Sequence, residues 1–208
     1  METFVFNHPL LSDRVAGLRD RRTRAPEFRR LVEQVTVLML YEAARHLPCT
    51  LRQVETPLSP ATCQVLAGDS PVLVPVLRAG LAMLPPLLDF LPDSPVGHLG
   101  LERDHGTLQP RVYLIKLPEK LAGRPTWLLD PMLATGGSAG AALAAVKASG
   151  ADNLSLLSII AAPEGISRLR REHPEVRLFI GAVDEKLNDS GYIIPGLGDA
   201  GDRLYGTE

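Results

Sequence analysis

The residues best suited to chemistry stand in one short run, Asp130-Pro131-Met132-Leu133-Ala134-Thr135-Gly136-Gly137-Ser138, directly after the apolar Trp127-Leu128-Leu129. A strand that runs into an acid, and then into a small, glycine-rich turn opening a helix, aims free backbone N–H groups and the positive end of the helix dipole above the sheet. A phosphate suits that place. Thr135 and Ser138 add hydroxyl donors, and Gly136 and Gly137 let an oxyanion come close to the backbone. The run lacks the GK[ST] ending of a Walker A loop. Taken alone, it also reads as an ordinary helix capped by Thr or Ser after a glycine turn.

Two further stretches weigh against that bland reading. Val72-Leu73-Val74-Pro75-Val76-Leu77-Arg78-Ala79-Gly80 puts Arg78 at the carboxyl end of a second predicted strand, the edge at which open α/β sheets bind ligands. A lone Arg there is commonly a surface ion-pair partner. The other stretch is Gly191-Tyr192-Ile193-Ile194-Pro195-Gly196-Leu197-Gly198-Asp199-Ala200-Gly201-Asp202-Arg203, a glycine loop with two acids and enough apolar residues to be ordered.

The elements that must position these residues follow from the patterning. Pro26 opens a helix in which Phe28, Leu31, Val35, Leu38 and Met39 fall near helical spacing, and His46-Leu47-Pro48 ends it. Thr50 to Leu66 alternates loosely around a Thr-Pro and a Ser-Pro, as a hairpin or arm would. Beyond Pro71, short apolar runs at 72–76, 96–101, 126–129, 154–160 and 176–182 alternate with helical stretches at 81–90, 137–149 and 163–172. That is the pattern of a parallel sheet covered on both faces. Glu102 to Gly123, with a single β-like run at 112–117, reads as an excursion from the sheet, and Glu185 to Glu208 has too many glycines for regular structure.

The chain of 208 residues suits one domain, 1–208, with N-terminal helices (1–48) and the C-terminal loop (185–208) as appendages. A net charge of -2 gives no global attraction for nucleic acid or an anionic membrane, so any phosphate site must be local. Cys49 and Cys63 lack ligand spacing and read as small buried apolar residues, and no dedicated metal site is expected. The N-terminus shows neither a signal peptide nor a spanning segment, which predicts a cytoplasmic protein.

The strings VLVPVLRAG, LLDPMLATGGSA, AAPEGI and GYIIPGLGDAGDR together resemble uracil phosphoribosyltransferases, and the likeness extends from the opening HPLL through Tyr41-Glu42-Ala43 to the closing GT. The resemblance implies an α/β fold of the phosphoribosyltransferase type: a central parallel sheet flanked by helices, a β-arm or hairpin excursion, and a C-terminal base-binding hood. It implies an enzyme that joins uracil to 5-phosphoribosyl 1-diphosphate, giving UMP and diphosphate in pyrimidine salvage. Arg78 and Arg103 would bind the diphosphate and, with Asp199, form the catalytic set. Asp130 would hold ribose hydroxyls, Pro131 would bind the ribosyl diphosphate with it, and Met132, Leu133, Ala134, Thr135, Gly136, Gly137 and Ser138 would cradle the 5-phosphate. Uracil would lie against Ile193, Gly198, Asp199 and Ala200, with Asp199 also near the ribosyl diphosphate and Mg²⁺ carried mainly by that substrate. The family further suggests a homo-oligomer, a dimer or larger, and GTP as an effector, with no nucleic-acid or membrane partner.

The chain departs from the family around Arg103, where Gly100-Leu101-Glu102-Arg103-Asp104-His105-Gly106-Thr107 keeps only Arg103 and Thr107 of a pattern with Tyr before the Arg and Asn-Glu-Glu after it. Rival readings are a phosphoribosyltransferase for another base, a non-catalytic pyrimidine sensor that regulates RNA, and a generic phosphate-binding α/β protein.

Overall fold

The computed structural model describes residues 2–103 and 110–207. In chain order they form β1 (Thr3–Val5), α1 (Pro9–Arg19), α2 (Ala25–Ala43), β2 (Cys49–Glu55), β3 (Pro60–Leu66), β4 (Val72–Leu77), α3 (Leu84–Phe90), β5 (His98–Arg103) and β6 (Pro110–Lys116). There follow β7 (Pro125–Leu129), β8 (Met132–Leu133), α4 (Gly137–Ala148), β9 (Asn153–Ala161), α5 (Pro163–Glu172), β10 (Arg177–Val183), β11 (Lys186–Leu187), β12 (Ile193–Ile194) and α6 (Ala200–Tyr205). A 3-10 turn over Ala79–Met83 leads from β4 into α3.

The charge-free apolar runs become the central strands, because only burial on both faces accommodates them. The sheet has the order β1-β10-β9-β7-β4-β5-β6, parallel throughout except that β6 runs antiparallel to β5. Side chains alternate across it with period two. Leu73, Trp127, Leu129, Leu157, Ile159 and Phe179 face the layer that contains α1, α2 and α6. Val72, Val74, Val76, Leu128, Leu156, Leu178 and Ile180 face α4 and α5. The expected helix after Pro26 is α2, with Phe28, Leu31, Val35 and Met39 buried. β2 and β3 pair from Cys49↔Leu66 to Glu55↔Pro60 as a separate two-stranded arm.

Four expectations need correction. The stretch after β5 does not leave the sheet: β6 turns back to pair along β5, from His98↔Lys116 to Arg103↔Pro110, and caps the sheet edge. Residues 104–109 between them, including the altered Asp104 to Gly106, lie outside the described residues. Cys49 is exposed and Cys63 partly so, because both fall on the arm, away from the core. β1, too short to show a pattern, pairs in parallel with β10. The C-terminal stretch contains regular structure after all, in the β11–β12 pair and in α6, where Asp199 caps by accepting from Asp202 N–H at 3.0 Å. No helix among the described residues is long and apolar enough to cross a membrane.

Phe179 ties the outer strand to this frame: it is 1% exposed and stacks on Phe4 at 5.1 Å between centroids. Phe179→Ala is expected to lower stability by about 3–5 kcal/mol. Leu58→Ala, at the arm's 97% exposed tip, should change it by less than about 0.5 kcal/mol. Urea unfolding of the two variants checks both figures.

Candidate active site

β7 ends at Leu129, and the next two residues step out of the ladder while its register persists, with Leu129↔Leu157 followed by Met132↔Ile160. Asp130 therefore stands at the carboxyl edge of the sheet. Its Oδ1 accepts from Met132 N–H at 3.2 Å. Although part of the side chain remains open to solvent, its carboxyl is enclosed with no cation against it among the described residues, and burial pushes its pKa up to about 6, the Met132 N–H opposing the shift. A carboxylate so placed keeps acceptor capacity for further donors.

After β8 the chain turns through Thr135 and Gly136 into α4. Gly136 has φ +76°, a left-handed conformation open to glycine, and Thr135 Oγ1 accepts from Gly137 N–H at 3.3 Å. The turn lies flat on the first turn of α5: a Cβ on Gly165 would run into Ala134 O, and one on Gly136 would come within 3.1 Å of Gly165 O. Met132 through Ala139, with Gly191, enclose a cavity of about 100 Å³ at the start of α4. A second cavity, of about 330 Å³, is lined by Met132, Ala134, Ser190, Gly191, Tyr192, Ile193, Gly198 and Asp199. The two share Met132, Ala134 and Gly191 and form one bipartite cleft.

Arg78 follows β4, the strand beside β7. Its guanidinium reaches α6: Nη2 meets Asp202 Oδ1 at 3.4 Å, and Nη1 donates to Thr207 Oγ1 at 3.3 Å. Thr207 Oγ1 in turn donates to Asp202 Oδ1 at 2.6 Å, and Tyr205 OH donates to the Arg78 carbonyl at 3.1 Å. Desolvation raises the Tyr205 pKa, with opposition from Arg78 and Arg29. Around Gly201, an added Cβ would stand 3.2 Å from Asp199 Oδ1 and 3.6 Å from Arg78 Nη2. Arg78 and Asp199 thus flank one point of α6.

The structure gathers most of the residues singled out in the sequence. Met132 to Ser138, Ile193, Gly198 and Asp199 line the cleft, and Asp130 borders it through Met132. Pro131 is buried, and Ala200 packs in the core behind the cleft, so neither side chain lines it. Arg103 ends β5, and its side chain lies outside the described residues. Sequence reasoning gave no role to Ser190, Gly191 and Tyr192, to Gly165, or to the Asp202, Tyr205 and Thr207 that hold Arg78. All but Ser190 and Tyr205 belonged to the quoted strings, so the strings marked the place while hiding the roles.

The raised Asp130 pKa has a consequence for stability. The folded chain holds this proton up to about pH 6, against about 3.8 for the ordinary group. Its contribution to folding therefore declines as pH rises through that window and stays unfavourable above it. Asp130→Asn is expected to raise stability by about 1–3 kcal/mol at pH 7.5 and by much less at pH 4. Urea melts at both pH values test this; an equal gain at both would show that burial of charge is not the cause.

Comparison with known proteins agrees with this geometry. The family model described as uracil phosphoribosyltransferase matches residues 5–207. A uracil phosphoribosyltransferase of Brevibacillus brevis is 55% identical over 207 residues, covering 99% of this chain and 98% of that protein. One from Thermus thermophilus is 50% identical over the whole of both chains. Among solved structures, the AQ2163 protein of Aquifex aeolicus superposes with a TM-score of 0.92 at 39% identity, covering 99% of each chain. An adenine phosphoribosyltransferase of Leishmania tarentolae, at 19% identity, TM-score 0.50 and coverage of 76% of this chain and 71% of its own, shares the fold. With its sheet, its bipartite cleft and these relatives in agreement over essentially its full length, the chain belongs to the uracil phosphoribosyltransferase family.

Proposed function

We propose that this protein transfers the phosphoribosyl group of 5-phosphoribosyl 1-diphosphate to N1 of uracil, releasing diphosphate and forming UMP in pyrimidine salvage. The observation that carries this reading is the bipartite cleft: one compartment at the start of α4 and one against the C-terminal loop, joined at Met132, Ala134 and Gly191. A nucleotide has the same layout, phosphate at one end and base at the other.

In this reading the 5-phosphate lies over Thr135, Gly136, Gly137 and Ser138, at the helix start whose N–H groups have no partner within α4, the Gly137 N–H turning to it from Thr135 Oγ1. The ribose hydroxyls donate to Asp130, which gives its carboxylate the partners it lacks. Uracil lies against Ile193 and the Gly198–Ala200 backbone, and the larger compartment takes it together with part of the sugar. N1 then attacks the anomeric carbon as the bond to diphosphate breaks, and the proton on N1 passes to the departing diphosphate. Positive charge develops on the sugar and negative charge on the leaving group, so no protein nucleophile is needed. The protein contributes position and charge stabilisation. Arg78 and Arg103 stabilise the departing diphosphate, and Asp199 lies beside the sugar that becomes cationic.

Mg²⁺ would be held mainly by the oxygens of the substrate diphosphate, with Asp199 near it, since magnesium keeps few protein ligands when phosphates are present. When bound, it would neutralise diphosphate charge. The whole chain, 1–208, acts as one domain, its N-terminal helices and C-terminal loop serving as parts of the site. We infer a homo-oligomer, a dimer or larger, from an apolar groove of about 500 Å³ lined by Val37, Leu40, Tyr41, Leu66, Phe90 and Leu91, bordered by the exposed arm. GTP as an effector rests on the family resemblance alone. A cytoplasmic location follows from the chemistry, because a sugar with three phosphoryl groups does not cross a bilayer unaided.

Three measurements test the reading. On one preparation, kcat/KM for UMP formation from uracil should exceed that for CMP formation from cytosine by about 10⁴-fold, because fixed backbone groups that match uracil leave cytosine facing donor to donor and acceptor to acceptor. Comparable values would mean that a flexible side chain reads the base. Arg78→Ala should lower kcat by about 10- to 100-fold with little change in the KM for uracil, the signature of a lost transition-state interaction. An unchanged kcat removes Arg78 from the reaction. Thr135→Val should weaken binding of the ribosyl diphosphate in calorimetry while the melting temperature holds; equal affinity would put the phosphate elsewhere.

A further inference from the structure

The base compartment is held from behind by a buried ion pair that takes no part in the chemistry above. Asp184 follows β10; its side chain is 1% exposed, and its backbone N–H donates to Ala161 O at 2.8 Å. Arg19, the last residue of α1, grips both of its carboxylate oxygens, Nη1 to Oδ2 at 2.7 Å and Nη2 to Oδ1. Both partners also bond to one and the same residue. Asp184 Oδ2 accepts from Gly196 N–H at 2.8 Å, and Arg19 Nη1 donates to Gly196 O at 2.8 Å. Both polar groups of the Gly196 backbone are therefore fixed by one ion pair.

Gly196 is the pivot of the loop. It has φ +66°, and a Cβ there would run into Ile193 O. The next residue is pinned in the same manner, since Arg203 Nη1 donates to Leu197 O at 2.8 Å and to Leu18 O, with Nη2 on Asp20 O at 2.7 Å. The carbonyls of 196 and 197 are thus turned onto arginines anchored at the end of α1. Ile193 on one side and Gly198 and Asp199 on the other line the cavity. We propose that Arg19 and Asp184 are positioning residues for base recognition: by locking the Gly196 backbone they set the orientation of the groups that meet the pyrimidine edge. This rests on the reading of that compartment as the uracil site.

The geometry has a specific kinetic signature. Removing Arg19 alone would strand a buried carboxylate, so the informative variant is Arg19→Met combined with Asp184→Asn, in which no charge is left unpaired and the amide oxygen still accepts from Gly196 N–H. In this variant, shown folded by its melting curve, the KM for uracil should rise by about 10- to 100-fold, the KM for the ribosyl diphosphate should stay within about 2-fold, and the preference for uracil over cytosine should shrink. Arg19→Lys keeps the charge but replaces the planar fork with a point donor; it should fold and shift the same quantities in the same direction by less. Ile193→Trp, which fills the compartment directly, is the control for the reading beneath. Should Ile193→Trp raise the KM for uracil while the Arg19 and Asp184 variants leave it and the base preference unchanged, or raise both KM values together, the positioning role is overturned. Should Ile193→Trp itself leave the KM for uracil unchanged, the compartment is not the base site and both readings fall.

Discussion

Two stretches of bare backbone meet above the carboxyl edge of the sheet, the turn at Ala134 to Gly136 and the first turn of α5 at Gly165. A single methyl group on Gly165 would collide with Ala134 O. Because these chains touch without side chains between them, the turn can fold back over β9 and still leave the N–H groups at the start of α4 pointing outward. The rest of the site is arranged around that fixed point. Asp130 precedes it on β7, Arg78 ends the neighbouring strand, and the C-terminal loop covers the opening through Gly191. If α5 stood further from the turn, the smaller cavity would lose its floor and the helix start would have no set direction.

The second constraint is electrostatic. The carboxyl edge collects acids, Asp130, Asp199, Asp202 and Asp184, and each is handled differently. Asp184 is buried against Arg19. Asp202 is shared between Arg78 and Thr207. Asp199 caps α6. Asp130 is enclosed with no cation against it among the described residues, and its raised pKa reflects that. Functional positions often carry such uncompensated groups.

Much of this was legible before any coordinates. The runs at 72–76, 126–129, 154–160 and 176–182 are readable as central strands because burial on both faces leaves a simple mark, a short run dominated by apolar residues in which Arg177 is the single charge. The turn before α4 was readable because its glycines and hydroxyls have few other uses. β1, only three residues long, and α6, with glycine at its second position, left no comparable mark. The cysteines of the arm were misread since burial was inferred from residue type, while their exposure depends on where the hairpin projects. The hold on Arg78 by Asp202, Tyr205 and Thr207, and the clamp of Arg19 on Asp184, were invisible for a different reason. They join positions far apart in the chain, and one sequence contains no information on which distant pairs meet.

That separation has a bearing on how the molecule comes into being. The strands from β4 to β10 lie within residues 72–183, and their neighbours are mostly near in sequence. Arg78, by contrast, waits for residues 202 and 207, and Arg19 for residues 184 and 196. Contacts that close such long stretches of chain form late, since the entropy of closure must be met before they return any stabilisation. During synthesis, then, a nascent chain can pair the strands from β4 to β10 while the compartment beside Ile193 and Gly198 has no rear wall and Arg78 no fixed direction. Structural soundness and chemical competence are acquired at separate moments, the second only when residues from the beginning and the last few dozen positions have found one another.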